Sequence, residues 1–133
     1  MTNLTDNSEP LYWKVLSQLA DGQLHSGQAI AKQLGVTRAA IWKALKKLEQ
    51  FDILVEHQRG VGYKLAVGSI ELLDLQRIWQ AMPDLAEGVL TAVHLFRDIR
   101  STNQYMLDEQ IHQAIGPVAC FAEYQSAGRG RRG

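Results

Sequence analysis

Residues 122–133 read AEYQSAGRGRRG, and the last six place Arg129, Arg131 and Arg132 among Gly128, Gly130 and Gly133. Glycines leave backbone N–H groups open to an approaching anion, and guanidinium groups add fixed positive charge in a planar fork. Two chemistries fit such a stretch: an Arg-Gly segment that binds nucleic acid, or a loop that cradles a phosphate. The stretch is neither a Walker loop nor a dinucleotide fingerprint, because the Lys-Ser/Thr pair is missing and the glycine spacing differs. Position separates the two readings. The loop follows VACFAEYQ, read as a strand, and an upstream strand, VLTAVHLFRDI, runs into RSTNQY. Ser101, Thr102, Asn103 and Gln125 then lie at strand ends of an α/β sheet, where ligands commonly bind.

Other chemistry is sparse. His25, His57, His94 and His112 are scattered without paired metal-ligand spacing, so no metal site is expected. Neither Cys120 nor any serine sits in a nucleophile motif. A single cysteine cannot form an internal disulfide, which points to a reducing cytoplasm, and Cys120 itself reads as a small buried strand residue. No apolar run approaches the ~18 residues of a spanning helix, and MTNLTDNSEP lacks the basic and apolar regions of a signal peptide. No membrane partner is expected. With 46% hydrophobic and 21% charged residues the chain is ordinary globular material.

The net charge of zero hides an asymmetry. His25–Lys64 holds 7 Lys/Arg against 3 Asp/Glu, whereas 67–127 holds 3 against 8. The basic block suits a phosphate backbone; the acidic middle does not. Within the basic part the elements are legible. PLYWKVLSQLADG spaces Tyr12, Val15, Leu16 and Leu19 as a helix that Gly22 ends. Ser26 caps a second helix that Gly35 closes, and Thr37 caps a third with Ile41, Ala44, Leu45 and Leu48 inward. ILVEH and VGYKLAV make a hairpin around QRG. The sum is a winged helix-turn-helix. On its third helix Ala39, Lys43, Lys46 and Gln50 face away from the core, flanked by Arg38, Trp42 and Lys47. Small Ala39 permits close approach to a groove, and the lysines suit phosphates. Trp42 fits either packing against the wing or contact with a sugar. Arg59, beside Gly60, is placed to reach the backbone or minor groove. A solvated face or a protein-interaction module would share much of this pattern.

After Val67 the pattern changes. Gly68-Ser69 reads as a linker and IELLDLQRIWQAM as a helix closed by Pro83. The strand VLTAVHLFRDI, a helix through NQYMLDEQIHQA capped by Ser101 or Thr102, and the strand VACFAEYQ open an α/β domain.

DIRSTNQYML followed by AEYQSAGRGRRG resembles the start of the catalytic domain of biotin–protein ligases. HSGQAIAKQLGVTRAAIWKALKKL and GVGYKL resemble the DNA-binding domain and wing of its BirA-type bifunctional members, which are both ligase and biotin-operon repressor. The likeness covers Leu11 to Gly133 and implies an α+β chain: a winged helix-turn-helix over 1–66, then a linker and the beginning of an α/β ligase domain over 67–133. It implies that Ser101, Thr102 and Asn103 contact biotin and that Gln125 lies near the ureido ring. Arg129, Gly130 and Arg131 match the loop that closes over biotin and biotinyl-5′-AMP, with Arg129 and Arg131 as its catalytic cations. Thr37, Arg38, Ala39, Trp42, Lys43, Lys46 and Arg59 would meet DNA. The family further implies ATP and Mg²⁺, transfer to a lysine of the biotin carboxyl carrier protein of acetyl-CoA carboxylase, and homodimers on operator DNA. The family's Lys-Trp-Pro-Asn-Asp-type stretch with its catalytic lysine would lie beyond Gly133, so these 133 residues alone are expected not to ligate biotin. The alternatives are a stand-alone winged-helix regulator that senses another ligand, and an RNA-binding Arg-Gly segment.

Overall fold

In the computed structural model the described residues are 9–82, 89–108 and 116–130. They fall into two compact units, and the chain passes from one to the other between Leu72 and Leu73. In the first, α1 (Leu11–Leu19) starts behind Pro10, and Gly22, at φ 72°, donates its N–H to the Leu19 carbonyl at 3.0 Å. Ser26 Oγ accepts the Ala29 N–H at 3.0 Å and begins α2 (Gly27–Leu34). Thr37 Oγ1 accepts the Ala40 N–H at 3.1 Å and begins α3 (Arg38–Leu48). Between them Gly35 adopts φ 67° and ψ 33°, a conformation that costs other residues roughly 1–2 kcal/mol. The turn is held further by the Val36 N–H, which donates to the Ala31 carbonyl at 2.9 Å.

The hairpin pairs β1 (Val55–Gln58) with β2 (Gly62–Leu65), Val55 facing Leu65 and Gln58 facing Gly62. His25 adds a third, one-residue rung: it exchanges backbone hydrogen bonds with Tyr63 at 2.9 and 2.8 Å. The wing is thereby fastened to the start of α2. The core lies among the three helices and β2, with Leu16, Leu19, Ile30, Ile41, Leu48 and Leu65 almost wholly buried. Trp13, absent from the predicted inward face of α1, is also buried and packs near Tyr12 and Phe51. Ile70 and Leu72 pack on the same core, and the Ile70 N–H donates to the Ala20 carbonyl at 2.8 Å. The predicted helix from Ile70 is therefore shorter: its first residues serve the first unit, and α4 (Leu75–Ala81) starts only where Asp74 caps the Arg77 N–H at 2.8 Å. Its predicted stop, Pro83, lies outside the described residues.

The second unit contains α4 and two parallel strands, β3 (Ala92–Ile99) and β4 (Val118–Gln125), registered from Ala92 opposite Val118 to Ile99 opposite Gln125. Parallel neighbours need a crossover, and α5 (Thr102–Met106) opens it. The predicted continuation of that helix through 109–115 lies outside the described residues. The chain is thus α+β, a winged helix-turn-helix followed by the strand–helix–strand start of an α/β unit. Among the described residues no helix is long and apolar enough to cross a membrane.

Candidate functional site

Burying Ile41, Ala44, Leu45 and Leu48 turns the opposite side of α3 outward. Thr37, Arg38, Ala39, Trp42, Lys43 and Lys46 are all exposed, as is Arg59 at the hairpin tip beside Gly60. Lys46 Nζ pairs with Glu49 at 2.8 Å, and Lys47 Nζ donates to Gln50 at 2.6 Å. Exposed pairs of this kind are worth about 0–1 kcal/mol, so a phosphate could displace either partner at small cost. Trp42, 54% exposed, forms one wall of a groove of about 170 Å³ between α3 and the wing. Val55, His57 and Tyr63 line its other side.

His57 and Tyr63 stack with ring centroids 4.7 Å apart and planes 19° from parallel. Beyond that pair, Ser26, Gly27, Arg38 and Gly62 border a second groove of about 220 Å³. Sequence reasoning did not single out His57 and Tyr63. They are directly opposite each other across the hairpin, so a correct register for QRG would have paired them. The signal for His25 was weaker: Gly62, where a Cβ would collide with the His25 carbonyl oxygen.

The second unit gathers its polar residues at the C-terminal ends of β3 and β4. Gln125 Oε1 accepts both the Thr102 N–H, at 2.8 Å, and the Thr102 hydroxyl, at 3.1 Å. Ser101 is buried, and its Oγ accepts the Gln104 N–H at 3.3 Å, which makes it the cap of α5. Asn103 is exposed beside them. Past the strand, Ser126 and Ala127 donate their N–H groups to the carbonyls of Ile99 and Arg100 at 3.0 and 2.8 Å. Those bonds carry the side-by-side course of the two strands past Gln125 to Ala127. A Cβ on Gly128 would sit 3.2 Å from Gln125 Cβ and 3.5 Å from its Nε2, so glycine lets the loop lie against the amide. Arg129 and Gly130 follow, exposed; Arg131 lies outside the described residues. Residues 23 apart in sequence, Thr102 and Gln125, thus form one polar cluster.

Further down the sheet, Arg97 donates to the Leu73 carbonyl at 2.7 Å and pairs with Glu123 at 3.1 Å, while Glu123 accepts the Leu73 N–H. This clamp, unforeseen in the sequence, fastens Leu73 to both strands. In the same unit Tyr105 Oη hydrogen-bonds His94 Nδ1 at 3.1 Å, and burial pushes the Tyr105 hydroxyl and the Cys120 thiol above their ordinary pKa values.

A basic third helix, a wing and a strand-end polar cluster define a helix-turn-helix protein that carries the opening of an α/β unit. An HTH-domain family profile matches residues 14–64. Over 130 residues, 98% of this chain, the sequence is 41% identical to the bifunctional ligase/repressor BirA of Salmonella typhimurium. It is 39% identical to the protein of the same name from Escherichia coli K12, over the same share. The chain spans 38% and 37% of the lengths of those two proteins. Over the length it spans, it is a relative of the BirA bifunctional ligase/repressors.

Proposed function

We propose that this protein joins operator recognition by its first unit to biotin recognition by its second, as part of an ATP-dependent biotin–protein ligase and transcriptional repressor. The carrying observation is the double hydrogen bond from Thr102 to Gln125 Oε1. It saturates the carbonyl end of the amide, so the Nε2 end is the one turned to a ligand, and a biotin ureido carbonyl needs such a donor. Ser101, held by its cap, fixes the turn that presents Thr102 and Asn103. The Gly128–Gln125 contact seats the start of the loop, so Arg129, Gly130 and Arg131 would cover a bound acyl phosphate with cations and open N–H groups.

ATP would adenylate the biotin carboxylate with release of pyrophosphate, and the biotinyl group would then pass to the amine of a lysine of the biotin carboxyl carrier protein with release of AMP. Among the described residues there is no group of three or more His, Cys, Asp or Glu to hold Mg²⁺, so no step is assigned to that ion.

In the first unit, Arg38, Ala39, Trp42, Lys43 and Lys46 would enter the major groove after Thr37, with Arg59 beside it. A homodimer would place two such helices on a two-fold operator, in the cytoplasm. Titration calorimetry with biotin, run on the chain and on Gln125→Ala, tests the ligand half. Equal affinity in both would remove Gln125 from the site. The salt dependence of duplex binding tests the other half: Lys43→Ala should lower the slope by about one counterion.

A further inference from the structure

The exposed face of α3 is not uniformly basic. Arg38, Lys43 and Lys46 are cations, but Ala39 and Trp42 are apolar and stand one helical turn apart. Phosphates gain nothing from an indole face. Trp42 nevertheless leaves 54% of its surface to water on the outward side of the helix. Its inner side is one wall of the groove that Val55, His57 and Tyr63 complete, so the indole stands between that groove and the outward face of the helix. Ala39, with only a methyl group, leaves room for another surface to approach the indole from the N-terminal side of the helix.

The edges of base pairs in the major groove present hydrogen-bond donors, acceptors and one apolar group, the C5-methyl of thymine. An apolar Ala-Trp pair between flanking cations matches that combination: phosphates for the charges and a methyl for the ring. We propose that Trp42, with Ala39 beside it, is a specificity-determining residue that reads a thymine methyl in the major groove. This inference rests on the DNA-binding reading above and adds the chemical group that is read.

The test begins with duplexes selected from a random-sequence pool by the full chain. Each thymine of the recovered site is then replaced singly by uracil, which removes the methyl and no hydrogen-bonding group. At one or two positions per half-site, uracil should weaken binding by the wild-type chain roughly fourfold, the ~0.8 kcal/mol of one buried carbon group. Trp42→Ala should bind the selected duplex more weakly and lose the difference between thymine and uracil at those same positions. Trp42→Phe, which keeps an aromatic ring, should retain part of it, and circular dichroism checks that both variants are folded. If uracil is neutral everywhere for the wild type, or costs Trp42→Ala just as much, the inference is overturned. Selection that enriches no sequence while duplex binding persists also overturns it, and leaves the phosphate contacts standing. Absence of any duplex binding overturns the DNA-binding reading itself.

Discussion

The two units bury their apolar residues in different ways. In the first, side chains from α1, α2, α3 and β2 converge on one centre, and Val15, Leu16, Leu19 and Leu48 have no exposed surface. In the second, Leu75 and Val93 are the buried hydrophobic residues among those described, and Phe121 and Tyr124 on β4 each keep 37% of their surface in water. A layered domain needs both faces of its sheet covered, and a two-stranded sheet is marginal without further cover. The first unit therefore carries its own stability. The second has a part-buried polar fastening instead, the Arg97–Glu123 clamp on Leu73. A unit with few buried apolar contacts opens more readily than one with a closed core.

That contrast can be broken most severely at Leu16. Leu16→Ala should cost about 2–5 kcal/mol, because the three surrounding helices cannot all collapse into the space. Phe121→Ala, a comparable truncation at a part-exposed site, should cost under ~1 kcal/mol. Hydrogen exchange reads both, with the slowest amides expected in α1 and α3 and faster exchange in β3 and β4. Equal protection of the two units would erase the distinction.

Next in size is Gly62→Ala. The new methyl meets the His25 carbonyl, which belongs to the backbone and cannot swing aside, so the rung between His25 and Tyr63 should open. A loss of roughly 1–3 kcal/mol is expected, together with weaker duplex binding as the wing leaves its place. Retained amide protection at Tyr63 would contradict this.

Gln125→Ala sharpens the comparison from the other side. The residue is exposed, so stability should change by no more than about 0.5 kcal/mol, while biotin affinity falls roughly tenfold with loss of the amide. A large change in the unfolding midpoint would make Gln125 a structural residue first.

The smallest effect concerns Asp21. The hydrogen bond from His25, at 2.8 Å, and then the Gln23 N–H hold its carboxyl below the ordinary 3.8. A depressed acid pKa in the folded state adds stability above the unfolded value, and that stability fades as the pH falls through the lowered one. Asp21→Asn should therefore lower the denaturation midpoint slightly near neutral pH and leave it unchanged well below pH 3.8. An unvarying difference across that range would exclude the linkage.

Much of the first unit was legible because its signals act over four residues or fewer. Ser26 and Thr37 cap where their spacing to Ala29 and Ala40 places them, and Gly35 takes the left-handed turn that only a glycine takes cheaply. The apolar spacing of Ile41, Ala44, Leu45 and Leu48 set the inward face of α3, and with it the outward one. Ile70 and Leu72 misled for the complementary reason. They read as the start of a helix, but a neighbouring core took them first, and tertiary burial outweighs a weak local preference.

The sequence by itself determined the winged helix-turn-helix, the strand–helix–strand order, and the types of residue at the strand ends. The tertiary structure alone decided which of those residues touch. Parallel pairing of β3 with β4 sets Ile99 against Gln125, and from that register Gln125 reaches Thr102 and Gly128. The hairpin register stacks His57 on Tyr63, and the rung at His25 fastens that stack to α2. Caps and turns are fixed by backbone groups a few bonds away. Register between distant strands is fixed by which side chains both faces of the sheet can bury, and that depends on every element packed against them.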